Sequence, residues 1–114
     1  MKTAALLPED NKVKVNQKVI LRLVMSGWKE EGGKVYPGAS EKISTNDGTV
    51  FLDEKDLFTA YDVTGVSPED AKMITLSAKI TQIDKLYDYF LVSFRVWDKK
   101  GNGEVSGSYK LYLD

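Results

Sequence analysis

The sequence predicts an all-β domain: an antiparallel two-sheet sandwich of about seven or eight strands, with at most one or two short helical turns. Three observations carry this. Several segments alternate apolar and polar residues with period two, as half-buried strands do. Turn signals rich in Gly, Asn, Asp and Pro separate them. No long stretch has the i, i+3, i+4, i+7 spacing of an amphipathic helix, so nothing is available to cover a parallel sheet. At 114 residues the chain has the length of one domain. It is read as a polar lead-in over 1–11 followed by a single β-sandwich domain over 12–114.

From the N-terminal side, residues 12–16 alternate lysine with Val13 and Val15 and suit a short edge strand, where lysine discourages unwanted pairing. Residues 18–28 form a strong strand with Val19, Leu21, Leu23 and Met25 on one face. Residues 29–40 read as a loop, because Gly32-Gly33 and Pro37-Gly38 are turn signals. Short strands over 41–45 and 49–52 flank Asn46-Asp47-Gly48, a strong hairpin signal.

Residues 53–61 are read either as one or two helical turns or, through 57–63, as a further strand. Ser67-Pro68-Glu69-Asp70 reads as an N-cap, a proline at the first helical position and acids in a single turn. Residues 73–83 alternate again, with Ile74, Leu76, Ala78 and Ile80 on one side. The last segment is the strongest signal, a long hairpin with arms over 86–97 and 105–113. Phe90, Val92, Phe94 and Val96 form one apolar row, and Val105, Tyr109, Leu111 and Leu113 form its counterpart with Gly107. Between the arms Gly101-Asn102-Gly103 takes positive φ at little cost.

Composition narrows the chemistry. There is no histidine and no cysteine. The usual general base near neutral pH, thiol catalysis, thiolate metal sites and disulfides are therefore all absent. A net charge of −1 without a block of like charge argues against nucleic acid or an anionic membrane as partner. No apolar run has the length of a membrane-spanning helix, so no membrane insertion is expected. Met1-Lys2 and the apolar run 4–7 hint at a signal peptide, but Pro8-Glu9-Asp10 cuts the run short. The start reads either as a native cytosolic terminus or as the terminus left by removal of a signal.

Three groups of residues are candidate sites. Tyr87, Tyr89, Arg95 and Trp97 share a face of one hairpin arm, with Tyr112 on the matching face of the other. Such a face suits a protein or glycan partner, and its plainer reading is cross-strand pairing. Asp98, Asn102 and Glu104 offer oxygen ligands in the hairpin turn and define a possible calcium site, the one cofactor to consider. Asp53, Glu54, Asp56 and Asp62 are further carboxylates for it; the plainer reading is a solvated turn. Lys100 and Tyr109 stand where an EF-hand loop requires acids. Catalysis by a carboxylate pair is the third possibility, but the acids lie mostly in turns among lysines, and no enzyme is expected.

The hairpin over 90–113, which opens Phe-Leu-Val-Ser-Phe-Arg-Val-Trp-Asp-Lys-Lys-Gly-Asn-Gly, resembles the closing hairpin of bacterial immunoglobulin-like and cadherin-like domains. The resemblance covers about a fifth of the chain. It implies an Ig-like Greek-key sandwich in the periplasm or outside the cell; a cytoplasmic setting is the alternative. The expected role is a non-enzymatic binding or structural module of a bacterial exported protein. A carbohydrate-binding module using the aromatic face, and a small structural protein that self-associates, are the two alternatives.

Overall fold

The computed structural model describes residues 2–6, 11–81 and 83–113, with side chains from residue 11 onward. Two sheets face each other. Their strands are β1 (Lys2–Leu6), β2 (Lys12–Val13), β3 (Lys18–Ser26), β4 (Pro37–Thr45), β5 (Val50–Glu54), β6 (Met73–Lys79), β7 (Phe90–Asp98) and β8 (Glu104–Leu113). The smaller sheet has the order β1-β3-β6 and the larger β2-β8-β7-β4-β5. All pairings are antiparallel except β2 with the end of β8, which is parallel. The expected all-β, two-sheet build is what the chain adopts. No helix among the described residues is long and apolar enough to cross a membrane.

The apolar rows read from the sequence line the space between the sheets. Leu21, Leu23, Leu76, Phe90, Val92, Val96 and Leu111 are all sealed from solvent. Phe94 is in the same row, its ring lying over Gly107, where a Cβ would come within 2.9 Å of it. Burial of such rows is the main force holding the sheets together.

Several boundaries differ from the sequence reading. Residues 1–11 are not merely a lead-in, since Lys2–Leu6 pairs along β3 from Leu6↔Arg22 to Lys2↔Ser26. The stretch Lys-Thr-Ala-Ala-Leu has little strand propensity of its own, and the open edge of β3 supplies its partner. The strand over 12–16 is only two residues, because Asn16 turns with φ 70°. Gly27, at φ 93°, ends β3 before Trp28. Residues 86–89 do not join β7: Tyr87 Oη donates to Asp84 at 2.6 Å, and the Asp88 N–H donates to Asn46 Oδ1 at 3.0 Å. Residues 53 and 54 end β5, and the segment 55–72 holds two short 3-10 turns, Thr59–Tyr61 and Asp70–Lys72. Ser67 Oγ accepts from the Asp70 N–H at 3.2 Å, but the second turn is capped by Glu69, two residues later than the N-cap read at Ser67.

Pro37-Gly38 carries the most instructive difference. It reads as a turn but opens β4, paired with Asp98 and Trp97. Gly38 is present for space. An added Cβ would fall 2.2 Å from the Trp97 ring. Starting β4 at Pro37 sets its alternation, so Ala39, Glu41, Ile43 and Thr45 face inward and Ser40, Lys42 and Ser44 face out.

Candidate functional site on the outer face of the larger sheet

The solvent side of the larger sheet gathers the polar and aromatic residues that alternate with the core rows. Cross-strand register builds it row by row: Gly38 beside Trp97 beside Glu104, then Ser40 beside Arg95 beside Ser106, then Lys42 beside Ser93 beside Ser108. Serines keep this surface flat. Trp97 lies in the seat left by Gly38, and the Arg95 guanidinium stacks over its ring at 4.6 Å. Arg95 also holds Glu104 in a two-pronged ion pair, Nε to Oε1 at 2.6 Å and Nη2 to Oε2 at 3.1 Å. These contacts raise the pKa of Arg95 and lower that of Glu104. A shallow depression of about 230 Å³ runs beside them, lined by Ser40, Lys42, Asp53, Lys55, Ser93 and Arg95.

The expected aromatic face is therefore assembled in part. Arg95 and Trp97 form its centre. Tyr89 lies under the Lys110 ammonium, 4.4 Å from its ring centroid. Tyr112 is exposed on β8. Tyr87 is turned away from this group, packing edge-on against Phe51 and Phe90 at 5.6 and 5.5 Å between ring centroids.

The three turn residues proposed for calcium do not converge. Asp98 is buried and occupied by backbone donors: Lys29 N–H at 2.7 Å, Lys100 N–H at 3.1 Å and Gly101 N–H at 3.2 Å. Glu104 is held by Arg95, and Asn102 is exposed. Of the further acids, Asp56 and Asp62 share the Lys99 ammonium, with Asp56 at 2.5 Å. Asp53 pairs with Lys55, and Glu54 is exposed. Burial raises the Asp56 pKa, but Lys99 and the N–H groups of Phe58 and Ala39 outweigh it and leave it below the usual value. Among the described residues no group of three or more acids could hold a metal ion.

Sequence reasoning missed one pair. Glu41 lies in the inward row of β4 at 3% exposure, and Tyr109 lies in that of β8 at 8%. Glu41 Oε2 and Tyr109 Oη are buried without a hydrogen-bond partner. Burial pushes the Glu41 carboxyl up to about 7. Burial first, and then the Glu41 charge, pushes the Tyr109 phenol above its usual range. The signal was the alternation Glu41, Ile43, Thr45, already present in the strand read over 41–45.

No family model and no curated protein matches this chain. Solved structures do match its fold. A superoxide reductase (neelaredoxin) from Ignicoccus hospitalis superposes with a TM-score of 0.56 at 9% identity, covering 98% of this chain and 82% of that one. Two variants of that reductase give the same TM-score at 8% and 9% identity. At such identity the likeness is one of fold.

It nevertheless corrects the expectation that the chain is a non-enzymatic binding or structural module, and with it the carbohydrate-binding and self-associating alternatives as complete accounts of its function. The fold is one on which an enzyme is built, so an all-β sandwich gives no ground for setting catalysis aside. Nor do the residues fit the chemistry that the reductase's name describes. Passing an electron to superoxide requires a redox-active group, commonly a metal held by imidazole or thiolate. This chain has no histidine or cysteine to hold one.

Proposed function

We propose, for the partner surface alone and with catalysis left open, that this chain recognises a protein through the outer face of its larger sheet, with Trp97 and Arg95 as the anchor. The observation that carries the reading is the Trp97 ring, seated on Gly38 and topped by Arg95 on a solvent-facing surface. Trp, Tyr and Arg dominate the energetics of protein interfaces. A ring already fixed by its seat loses little freedom on binding. The surrounding charges are of both signs, Lys42, Lys55 and Arg95 with Asp53 and Glu104, which suits a protein surface better than a polyanion.

The strand order also supports an Ig-like reading of the sandwich. β1, β3 and β6 stand as A, B and E strands against β8, β7 and β4 as G, F and C.

The test is site-specific photo-crosslinking in the native cell extract. A crosslinker replacing Ser93 or Ser108 should capture one protein that a crosslinker at Val24, exposed on the smaller sheet, does not. Arg95→Ala should reduce that capture about tenfold or more while leaving the fold intact. Equal capture from both sheets, or indifference to Arg95→Ala, overturns the reading.

A further inference from the structure

The outer strands of the two sheets are not equally protected. β2 is two residues long and runs parallel to its neighbour. β5 has a register shift against Ile43 and Ser44 and carries Asp53 and Glu54. Short length, irregularity and charge are the usual devices that stop an edge from pairing with another chain. β1 and β6 have none of the irregularity or acidic charge, and β6 is the longer of the two. Its seven residues, Met73–Lys79, contain no proline, glycine or acid, and the one charge is the terminal Lys79. Among the described residues its only strand partner is β3. Its other edge presents backbone N–H and C=O groups that a further strand would satisfy.

Depressions of mixed lining lie at both ends of this edge, with Asp70 and Thr75 in the first and Thr49 and Asp84 in the second beside the apolar residues. A cleft of about 350 Å³ at the Met73 end is lined by Pro37, Phe58, Tyr61, Val66, Met73 and Ile74. A second of about 370 Å³, beyond Lys79, is lined by Val50, Phe51, Thr81 and Ile83. Tyr61, Met73, Val50 and Ile83 are each more than a third exposed, although they are large apolar side chains.

We propose that a second copy of this chain pairs here, β6 against β6 in antiparallel fashion about a two-fold axis at Leu76. The three-stranded sheets of the two copies then become one sheet of six. The strand is complementary to itself in this register. Ile74 falls opposite Ala78, large against small on the inner face. Thr75 falls opposite Ser77, hydroxyl against hydroxyl on the outer face. Met73 falls opposite Lys79, so no charge meets a like charge. The same axis brings the Met73 end of one copy beside the Lys79 end of the other. Tyr61 and Met73 then approach Val50 and Ile83 of the second copy, as an isologous interface requires. The pairing is separate from the outer face of the larger sheet and does not depend on its partner.

Sedimentation velocity from micromolar to roughly millimolar protein tests it, with two double variants at the exposed positions 75 and 77. Thr75→Lys with Ser77→Lys sets like charges opposite each other twice and should weaken association about tenfold. Thr75→Lys with Ser77→Asp sets opposite charges there and should keep or strengthen it. Circular dichroism confirms that each is folded. Concentration-dependent dimers in the wild type and in the opposite-charge variant, lost in the like-charge variant, establish the pairing. A wild type that stays monomeric overturns it and leaves the edge to a strand of another protein. Loss in both variants, or in neither, overturns the register.

Discussion

Asp98 and Glu41 are both carboxylates on inward rows of neighbouring strands, both less than 5% exposed, and they live in opposite circumstances. Asp98 ends β7 and accepts three backbone N–H groups, two from its own turn and one from Lys29 after β3. Glu41 sits mid-strand, and no hydrogen bond reaches its Oε2. The cause is position along the strand. In mid-sheet the neighbouring N–H groups are taken up by the ladder on both sides, from β5 and β7. Past the last ladder bond the N–H groups of a turn are unclaimed and can converge on a carboxylate. Burial alone therefore says little about what an acid does. Its access to free donors decides whether its oxygens are satisfied or left without a partner.

Breaking the satisfied site should have the largest effect. Asp98→Ala removes the shared acceptor of three part-buried N–H groups and one of the ties between the 27–36 loop and the hairpin turn, the Lys99 N–H to Tyr36 carbonyl bond remaining. A loss of roughly 3–5 kcal/mol is expected in denaturant unfolding. A loss below about 1 kcal/mol would mean that water replaces the carboxylate.

The unsatisfied site should show itself through pH. The Glu41 pKa in the folded chain lies above the ordinary 4.5, so folding favours its protonated form. Its contribution is intact below pH 4.5, falls as pH rises to about 7, and is constant above. Relative to Glu41→Gln, which cannot ionise, the wild type should lose about 3 kcal/mol over that interval. Parallel stability curves for the two proteins would show that the carboxyl finds a partner on ionisation. Asp56 acts in the other direction: its lowered pKa contributes stability that is lost as pH falls.

The smallest effect is expected at the neighbouring phenol. Tyr109 Oη makes no hydrogen bond, so Tyr109→Phe should change the unfolding free energy by less than about 1 kcal/mol, with stabilisation the expected sign. It should also shrink the pH effect of Glu41 only slightly, since the main cause there is burial. A large loss would reveal a hydrogen bond between the two side chains.

The core was the most legible part of this molecule. Val19 to Met25, Ile74 to Ile80, Phe90 to Val96 and Tyr109 with Leu111 face inward as their alternation requires. Of the outer face, Arg95 and Trp97 were legible as neighbours on one side of a strand. The Gly38 seat that makes them a rigid unit was not, because a Pro-Gly pair has the same local signature whether it turns the chain or clears space for a ring. The calcium expectation rested on acids close in sequence. Asp98 lies in the core layer and Glu104 on the outer face, and Lys99 supplies the cation for Asp56 and Asp62.

By itself the sequence determined that this chain is all β, which residues of its main strands line the core, and that it carries no histidine or cysteine. Those conclusions come from local alternation and from counting residues, and neither needs a partner strand. Tertiary structure alone decided that residues 2–6 complete a sheet, that β6 has β3 as its one strand partner among the described residues, and that two buried carboxylates have different surroundings. Each of these depends on which backbone groups remain unpaired after the strands have found their neighbours, and pairing partners far apart in the chain leave no local trace.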